Sequence, residues 1–404
     1  MIKDLVQRLQ DKEKRMIEVR RHLHEYPELS FHETETPKYI ANFYKDKDCK
    51  VETNIGQNGV KVTIDSGKPG KTIAIRADFD ALPIQEDTGL SFVSKNEGVM
   101  HACGHDAHTA YMLILAETLI EMKSQFSGKV IVIHQPAEEM PPGGAKGMIE
   151  DGVLDGVDHV LGTHVMTNMA PGKVYYHKGN VQTGRSYFKL IVKGEGGHGS
   201  SPHTANDAIV AGAHFVTTAQ TVVSRRLNPF ETGVVTIGSF DGKGQFNVIK
   251  DKVTIEGDVR ALTDATRDRI ETALKQIVHG LEETFGVNCE FTFSKDYPAL
   301  YNDPDFTEYV AETIKQSKLA DVKGVEICEP QPPSEDFAFY AKTLPSTFIY
   351  SGAKPRKGKA YPHHHPKFTI DESSMLVAAE AVGAVVLNLS LIHISEPTRP
   401  RLIS

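Results

Sequence analysis

Apolar positions recur along this chain with two different periods, and the change from one to the other marks its organisation. Between Asp4 and Glu25 the residues Leu5, Leu9, Met16, Val19 and Leu23 keep helical spacing until Tyr26-Pro27 stops the pattern, which predicts one amphipathic opening helix. Short β-branched runs at Gly59 to Ile64, Thr72 to Arg76, Lys129 to His134 and Asp158 to His164 predict strands, with a helix around Thr109 to Met122 among them. Helices alternating with such strands predict an α/β sheet covered on its faces. Near Gly184 the pattern changes. Tyr187 to Val192, Gly233 to Ile237, Val253 to Val259 and Cys289 to Phe293 alternate more cleanly, and helical stretches at Asp207 to Arg225 and Thr266 to Thr284 separate them. The order β-α-β-β-α-β is that of a ferredoxin-like sandwich. After Lys295 the mixed character returns, with a helix from Phe306, a strand at Thr347 to Tyr350 and an apolar helix from Ser373 to Leu389. The expected organisation is a small α+β domain (184–296) inserted into a large α/β domain made of 1–183 and 297–389. Residues 390–404 follow a complete helix without periodicity and read as a vector-derived tail.

Composition narrows the class. A chain of 404 residues, 40% hydrophobic and 24% charged, is globular material long enough for two domains. Its net charge of -8, with no Lys/Arg run longer than a pair, argues against a nucleic-acid partner. Charges run through the opening helix and no apolar stretch reaches 18 residues, so neither a secretory segment nor a membrane span is expected. Cys49, Cys103, Cys289 and Cys328 lie far apart, which suits reduced thiols in the cytoplasm better than a disulfide framework.

Three segments carry candidate chemistry. Met100 to His108 (MHACGHDAH) packs a thiol, three imidazoles and a carboxylate into a loop before a helix, and Gly104 lets the backbone fold so that Cys103 and His105 face one centre. Thiolate and neutral imidazole both suit zinc-like metals; a single such histidine could equally cap the helix. Val130 to Glu139 (VIVIHQPAEE) ends a strand in two adjacent acids, where Glu138 and Glu139 could divide proton handling and metal binding, or merely begin a solvated helix. His164 closes another strand, and His363-His364-His365 sits in a Pro-flanked loop. Jointly these groups could hold two ions.

HACGHDAH and QPAEE, together with RADFDALPIQE (Arg76 to Glu86), RRHLHEYPELSFHE (Arg20 to Glu33) and GEGGHGSSPH (Gly194 to His203), occur in an order that resembles the aminoacylase, hippurate hydrolase and auxin-conjugate amidohydrolase group of dinuclear metallopeptidases. The resemblance runs from about residue 1 to residue 389. It implies a dinuclear catalytic domain with a ferredoxin-like insert that serves as lid and homodimer contact. It also implies that Cys103, His105, Glu139, His164 and His364 bind two divalent ions, zinc or manganese, with Glu138 as catalytic base. His364 is selected because the late ligand lies in a His-x-Pro-x-Phe pattern; the family's small polar residue after it is replaced here by His365. Asp80 matches an acid that orients the ligands, although it could simply form the turn before Pro83. His198 matches a histidine that the lid offers to the substrate in its own or the partner's site, while its glycine-rich surroundings would also fit a plain hairpin. Asn247 and Arg260 match groups that hold the substrate carboxylate, and Arg260 on a strand would equally suit a surface ion pair.

The expected reaction is hydrolysis of an N-acyl (N-acetyl, N-benzoyl or similar) amino acid to a carboxylic acid and a free amino acid, an N-acetyl-diaminopimelate-type deacetylase being one variant. Two other readings compete. A dipeptidase or aminopeptidase would need an acidic anchor for a free amine, which no motif supplies. A metal-binding protein without turnover would have no use for Glu138 beside the ligands.

Overall fold

In the computed structural model, which describes residues 1–390, the β-branched runs of the first half assemble into one mixed sheet. The elements begin with α1 (Ile2–Asp11), α2 (Glu13–Glu25), α3 (Glu35–Phe43), β1 (Lys50–Ile55), β2 (Gly59–Asp65), β3 (Thr72–Asp78), α4 (His105–Glu121), β4 (Lys129–Gln135), α5 (Gly144–Glu150), β5 (His159–Met166), β6 (Lys173–Tyr176) and β7 (Gly179–Gln182). There follow β8 (Gly184–Lys193), β9 (Gly197–His198), α6 (Ala208–Thr221), β10 (Gly233–Asp241), β11 (Val248–Ile249), β12 (Lys252–Ala261), α7 (Asp264–Phe285) and β13 (Asn288–Tyr297). The last are β14 (Leu300–Asn302), α8 (Pro304–Ser317), β15 (Gly324–Ile327), α9 (Ala338–Thr343), β16 (Ser346–Gly352) and α10 (Ser373–Leu389). Of the tail read as vector-derived, only Ser390 is among the described residues.

Contacts divide the chain into two units, one holding residues 1–179, 301–329 and those from 339 onward, the other 180–300 and 330–338. The short excursion 330–338 joins the second unit through backbone and side-chain bonds that hydrophobic periodicity does not encode. Gln331 N donates to Val181 O at 2.8 Å, and Thr183 Oγ1 donates to Pro332 O at 2.6 Å.

In the first unit the sheet order is β1-β2-β4-β3-β5-β16-β6-β15. The neighbours β4-β3-β5-β16 are all parallel, while β1 and β2 extend the sheet antiparallel on one side. Parallel strands are covered on both faces and therefore read as continuous apolar runs, as Val130 to Ile133 does. Two helices are apolar nearly all round and correspondingly buried, α4 from His105 to Leu119 and α10 from Ser374 to Leu387.

The opening stretch differs from the expected single helix. Lys12 leaves the helical region at φ -101°, ψ 0°, so that the Leu5/Leu9 stripe of α1 packs on α10 while the Met16/Val19/Leu23 stripe of α2 packs on α4. One straight helix could not serve both partners. At Gly383 a Cβ would come within 2.8 Å of Leu5 and 2.9 Å of Leu115, which shows how closely α1 and α4 approach α10 there.

The second unit holds an antiparallel sheet of order β10-β12-β8-β13. Burial alternates along β8 and β12, and their inner residues Phe188, Leu190, Val192, Val253, Ile255 and Val259 form a core with Phe215 of α6 and Leu274 of α7. Here α6 ends at Thr221, and the stretch Val222–Arg226, which runs one residue past the expected end at Arg225, is π-helical. Among the described residues no helix is long and apolar enough to cross a membrane.

Leu115 is fully buried where α4 meets α10. Leu115→Ala should lower the unfolding free energy by about 2–5 kcal/mol, read as a shifted urea midpoint at unchanged m-value.

Candidate metal centre

The centre grows from the C-terminal ends of the parallel strands, where an α/β sheet leaves polar groups unburied by its neighbours. Along β3 and just past it, Arg76, Asp78 and Asp80 follow at two-residue spacing. Arg76 pairs with Asp78 at 2.5 Å, and Asp78 Oδ1 bonds His108 Nδ1 at 2.6 Å. The other His108 nitrogen accepts Val165 N–H at 2.9 Å, so this ring ties α4 to β5 and has no nitrogen to spare. Burial raises the cost of charging Asp78, but the Arg76 guanidinium and the neighbouring imidazoles hold its carboxyl well below the ordinary range.

Asp80 contacts two of the candidate ligands. Its Oδ1 lies 3.2 Å from His105 Nδ1 and its Oδ2 accepts Glu139 N–H at 3.0 Å and Ser30 Oγ at 2.7 Å. The ring of His105 is thereby turned so that Nε2 points the other way. His164 is held in the same manner, with Nδ1 donating to Val165 O at 2.7 Å, and burial together with the His108 and His363 rings keeps it neutral.

Gly104 caps α4 at φ +92°, and a Cβ there would sit 2.5 Å from Val165 Cγ2. Only glycine fits such a turn. The ligand-rich motif is thus split: Cys103 precedes the turn, whereas His105, Asp106 and His108 belong to the first turns of α4 and not to a loop before it. His164 likewise lies inside β5, which continues to Met166.

These turns bring the five expected ligands together. Cys103 Sγ is 3.5 Å from His164 Nε2, His105 Nε2 is 3.8 Å from Glu139 Oε1, and His364 Nε2 is 3.2 Å from the same oxygen. Ligating atoms of Cys103, His105 and His164 lie within 4.8 Å of one another, as do those of Cys103, Glu139 and His364, and those of His105, Glu138 and Glu139. Of the late histidines, His363 bonds Val165 O at 2.9 Å and His365 accepts Lys367 N–H at 2.9 Å, which leaves His364 as the ring facing Glu139. His364 adopts φ +65°, an uncommon conformation for a residue with a Cβ.

The donor set fits metal ions. His105 Nε2 and Glu139 Oε1 are buried without a hydrogen-bond partner and face each other across the cluster. Burial and the carboxylates of Glu139, Glu138 and Asp78 push the Cys103 thiol well above its usual range. Burial alone would depress His105, but Asp78, Asp80 and Glu139 outweigh it and raise the ring to about 10. Proton-holding of this kind marks an anionic pocket that a cation would fill, and thiolate, imidazole and carboxylate together are zinc-type donors.

His198, Asn247 and Arg260 belong to the second unit, while the cluster is built entirely within the first. His198 and Asn247 are exposed and adjoin the β9–β11 ladder, where His198 pairs with Val248 and Gly199 N donates to Asn247 O at 2.9 Å. Arg260 Nε pairs with Asp258 at 2.7 Å and Nη1 donates to Ser334 Oγ at 3.2 Å.

Sequence reading passed over Asp78, although charged residues at period two in an otherwise apolar strand are a signal that they are paired, and it counted His108 among the three imidazoles of its segment without marking it as Asp78's partner. It also passed over the buried network behind the cluster. Arg20 Nε donates to Asp106 at 3.0 Å, and His24 joins Asp106 at 2.8 Å to Glu86 at 3.3 Å. Nothing in the local pattern marks these as partners, because they are 62 to 86 residues apart.

The model of peptidase family M20/M25/M40 matches residues 74–388. This chain belongs to that family. It is 38% identical over 303 residues to N-acyl-L-amino acid amidohydrolase of Geobacillus stearothermophilus, covering 75% of this chain and 82% of the relative. A crystal structure of a protein provisionally named an aminohydrolase, from methicillin resistant Staphylococcus aureus, is 71% identical, with a TM-score of 0.93 over 96% of this chain and all of the other. The YXEP protein of Bacillus subtilis, described as a dinuclear metal binding peptidase of family M20, is 31% identical with a TM-score of 0.82, covering 94% of this chain and 99% of the other.

Asp106 offers a pH-dependent test of the network behind this M20 site. Burial works against its charge, but Arg20 and His24 hold its carboxyl well below the ordinary value, so the stability it contributes is present above about pH 4 and is lost as pH falls toward the folded value. Arg20→Ala should therefore cost about 3–5 kcal/mol at pH 7, and the gap from wild type should narrow below about pH 4 in urea titrations.

Proposed function

We propose that this M20 family member is a metal-dependent amidohydrolase that removes the acyl group from N-acylated amino acids. The observation that carries the reading is the convergence of Cys103, His105, Glu139, His164 and His364, two of them with unpartnered buried donor atoms, beside the buried Glu138. The kinship with an N-acyl-L-amino acid amidohydrolase and with a dinuclear metal binding peptidase supports it. Those five side chains would hold two divalent cations, zinc or manganese. Cys103 and Glu139 each fall in more than one ligand group, which suits a shared site.

Two cations in such a site supply Lewis acidity to the scissile carbonyl and acidify the attacking water. The side chains do the rest. Glu138 takes the proton from the water and returns it to the leaving amine, one carboxyl serving both directions. Asp80 orients His105 and the Glu139 backbone. His198 Nδ1 accepts Ser200 N–H at 3.2 Å, which leaves Nε2 as the ring nitrogen that donates to the oxyanion. Asn247 and Arg260 hold the substrate carboxylate, the guanidinium using donors beyond those given to Asp258 and Ser334.

The second unit is read as a ferredoxin-like insert that acts as lid and homodimer contact. Its order of strands and helices supports the first part, and the exposed Phe230, Val234, Phe246 and Val248 support the second. Four unpaired cysteines support a cytoplasmic location.

In a panel of N-acetyl, N-benzoyl and N-succinyl amino acids set against dipeptides, with zinc or manganese added, the acylated amino acids should be the ones hydrolysed; turnover of dipeptides alone would overturn the assignment. Chelation should abolish the activity, and either ion should restore it. Glu138→Ala should lose about 10²–10⁴-fold in kcat while elemental analysis finds its metal content unchanged.

A further inference from the structure

The segment Arg20 to Glu33 ends in a carboxyl that the proposed chemistry does not use. Glu33 is 1% exposed; its Oε1 accepts Ala137 N–H at 2.8 Å and its Oε2 accepts the Asn58 side-chain amide at 3.2 Å. Ala137 immediately precedes Glu138 and adopts φ +53°, the left-handed region that a side chain with a Cβ disfavours. On the other side of Glu138, Glu139 N–H is held by Asp80 at 3.0 Å. Each amide flanking Glu138 thus ends on a buried carboxyl.

The two carboxyls are themselves linked. Ala81 N donates to Glu28 O at 2.8 Å, Leu29 bridges to Ala81, and Ser30 Oγ donates to Asp80 at 2.7 Å. The stretch Glu28–Glu33 therefore lies along the end of β3 and reaches from Asp80 to Ala137. The Ala137 carbonyl is occupied as well, accepting Gly144 N–H at 3.1 Å. A residue whose N–H and C=O are both anchored in an unfavourable conformation fixes the direction in which the next side chain leaves the backbone.

We propose that Glu33 is a positioning residue for Glu138, holding the Ala137 amide in its left-handed turn so that the Glu138 carboxyl is aimed at the reacting water. This rests on the reading of Glu138 as proton carrier. A merely structural Glu33 would stabilise the fold without any tie to that step.

The test pairs Glu33→Met, which fills the volume but cannot accept a hydrogen bond, with Glu33→Gln, which can, each made in wild-type and Glu138→Ala backgrounds. The substrate is the N-acetyl amino acid turned over fastest in the panel above, and every variant is also measured for metal content and thermal unfolding. Glu33→Met should lower kcat about 10–100-fold with KM within about twofold and metal content unchanged, and Glu33→Gln should stay within about threefold of wild type. In the Glu138→Ala background Glu33→Met should change the residual rate by less than about twofold, because the step it serves is already gone. Wild-type kcat in Glu33→Met, or the same fractional loss with and without Glu138, overturns the proposal alone. A well-folded Glu33→Gln that loses more than about tenfold in kcat also overturns it, whether or not the Met variant folds. Wild-type kcat in Glu138→Ala removes the proton-carrier reading, and this proposal with it.

Discussion

Both buried imidazoles at the heart of the cluster are held by Nδ1, His105 by Asp80 and His164 by the Val165 carbonyl. A neutral imidazole has one lone pair, so a bond that takes the proton on Nδ1 decides that Nε2 faces the pocket. Everything that the site could do with a cation depends on that orientation. Asp80 extends the control further, since the same carboxyl also fixes the backbone of Glu139. One buried acid thereby positions a ring donor from the start of α4 and a carboxylate donor from beyond the end of β4.

The sheet explains why this is possible. Four parallel neighbours place their C-terminal ends side by side, so Asp80 after β3 and Glu138-Glu139 after β4 arrive close together while His164 projects from β5. Strands covered on both faces leave no room for polar side chains along their length except in pairs. Arg76 with Asp78 and His108 is such a pairing, and it stands immediately behind the donors. Cys103 and, beyond it, His105 at the start of α4 are then inserted among them on either side of a glycine whose missing side chain admits Val165.

Concentrating carboxyls, a thiol and imidazoles in one buried place works against folding unless charge is balanced. Part of the balance is built into the chain: Arg76 faces Asp78, and Arg20 with His24 faces Asp106 one layer behind. The front of the cluster is different. Protons retained by Cys103 and His105 balance it in the protein alone, and cations would replace them.

Much of this was legible from the order of residues. Covalent spacing makes the Cys103/His105 pair and the Glu138/Glu139 pair neighbours in any fold, and period-two and period-3.6 patterns follow from local backbone geometry, so strands, helices and the change near Gly184 could be read directly. Which of His363, His364 and His365 faces Glu139 was indicated only by a motif match, because three adjacent rings are chemically alike; Val165 and Lys367 had to engage two of them. The period-two charges of β3 hinted that Asp78 is paired, but its bond to His108, the bond of Glu33 to Ala137 and the Arg20–Asp106 pair lay beyond reach of the pattern. Their roles depend on partners between 30 and 104 residues away, and a hydrogen bond across such a separation exists only once the sheet and helices have packed.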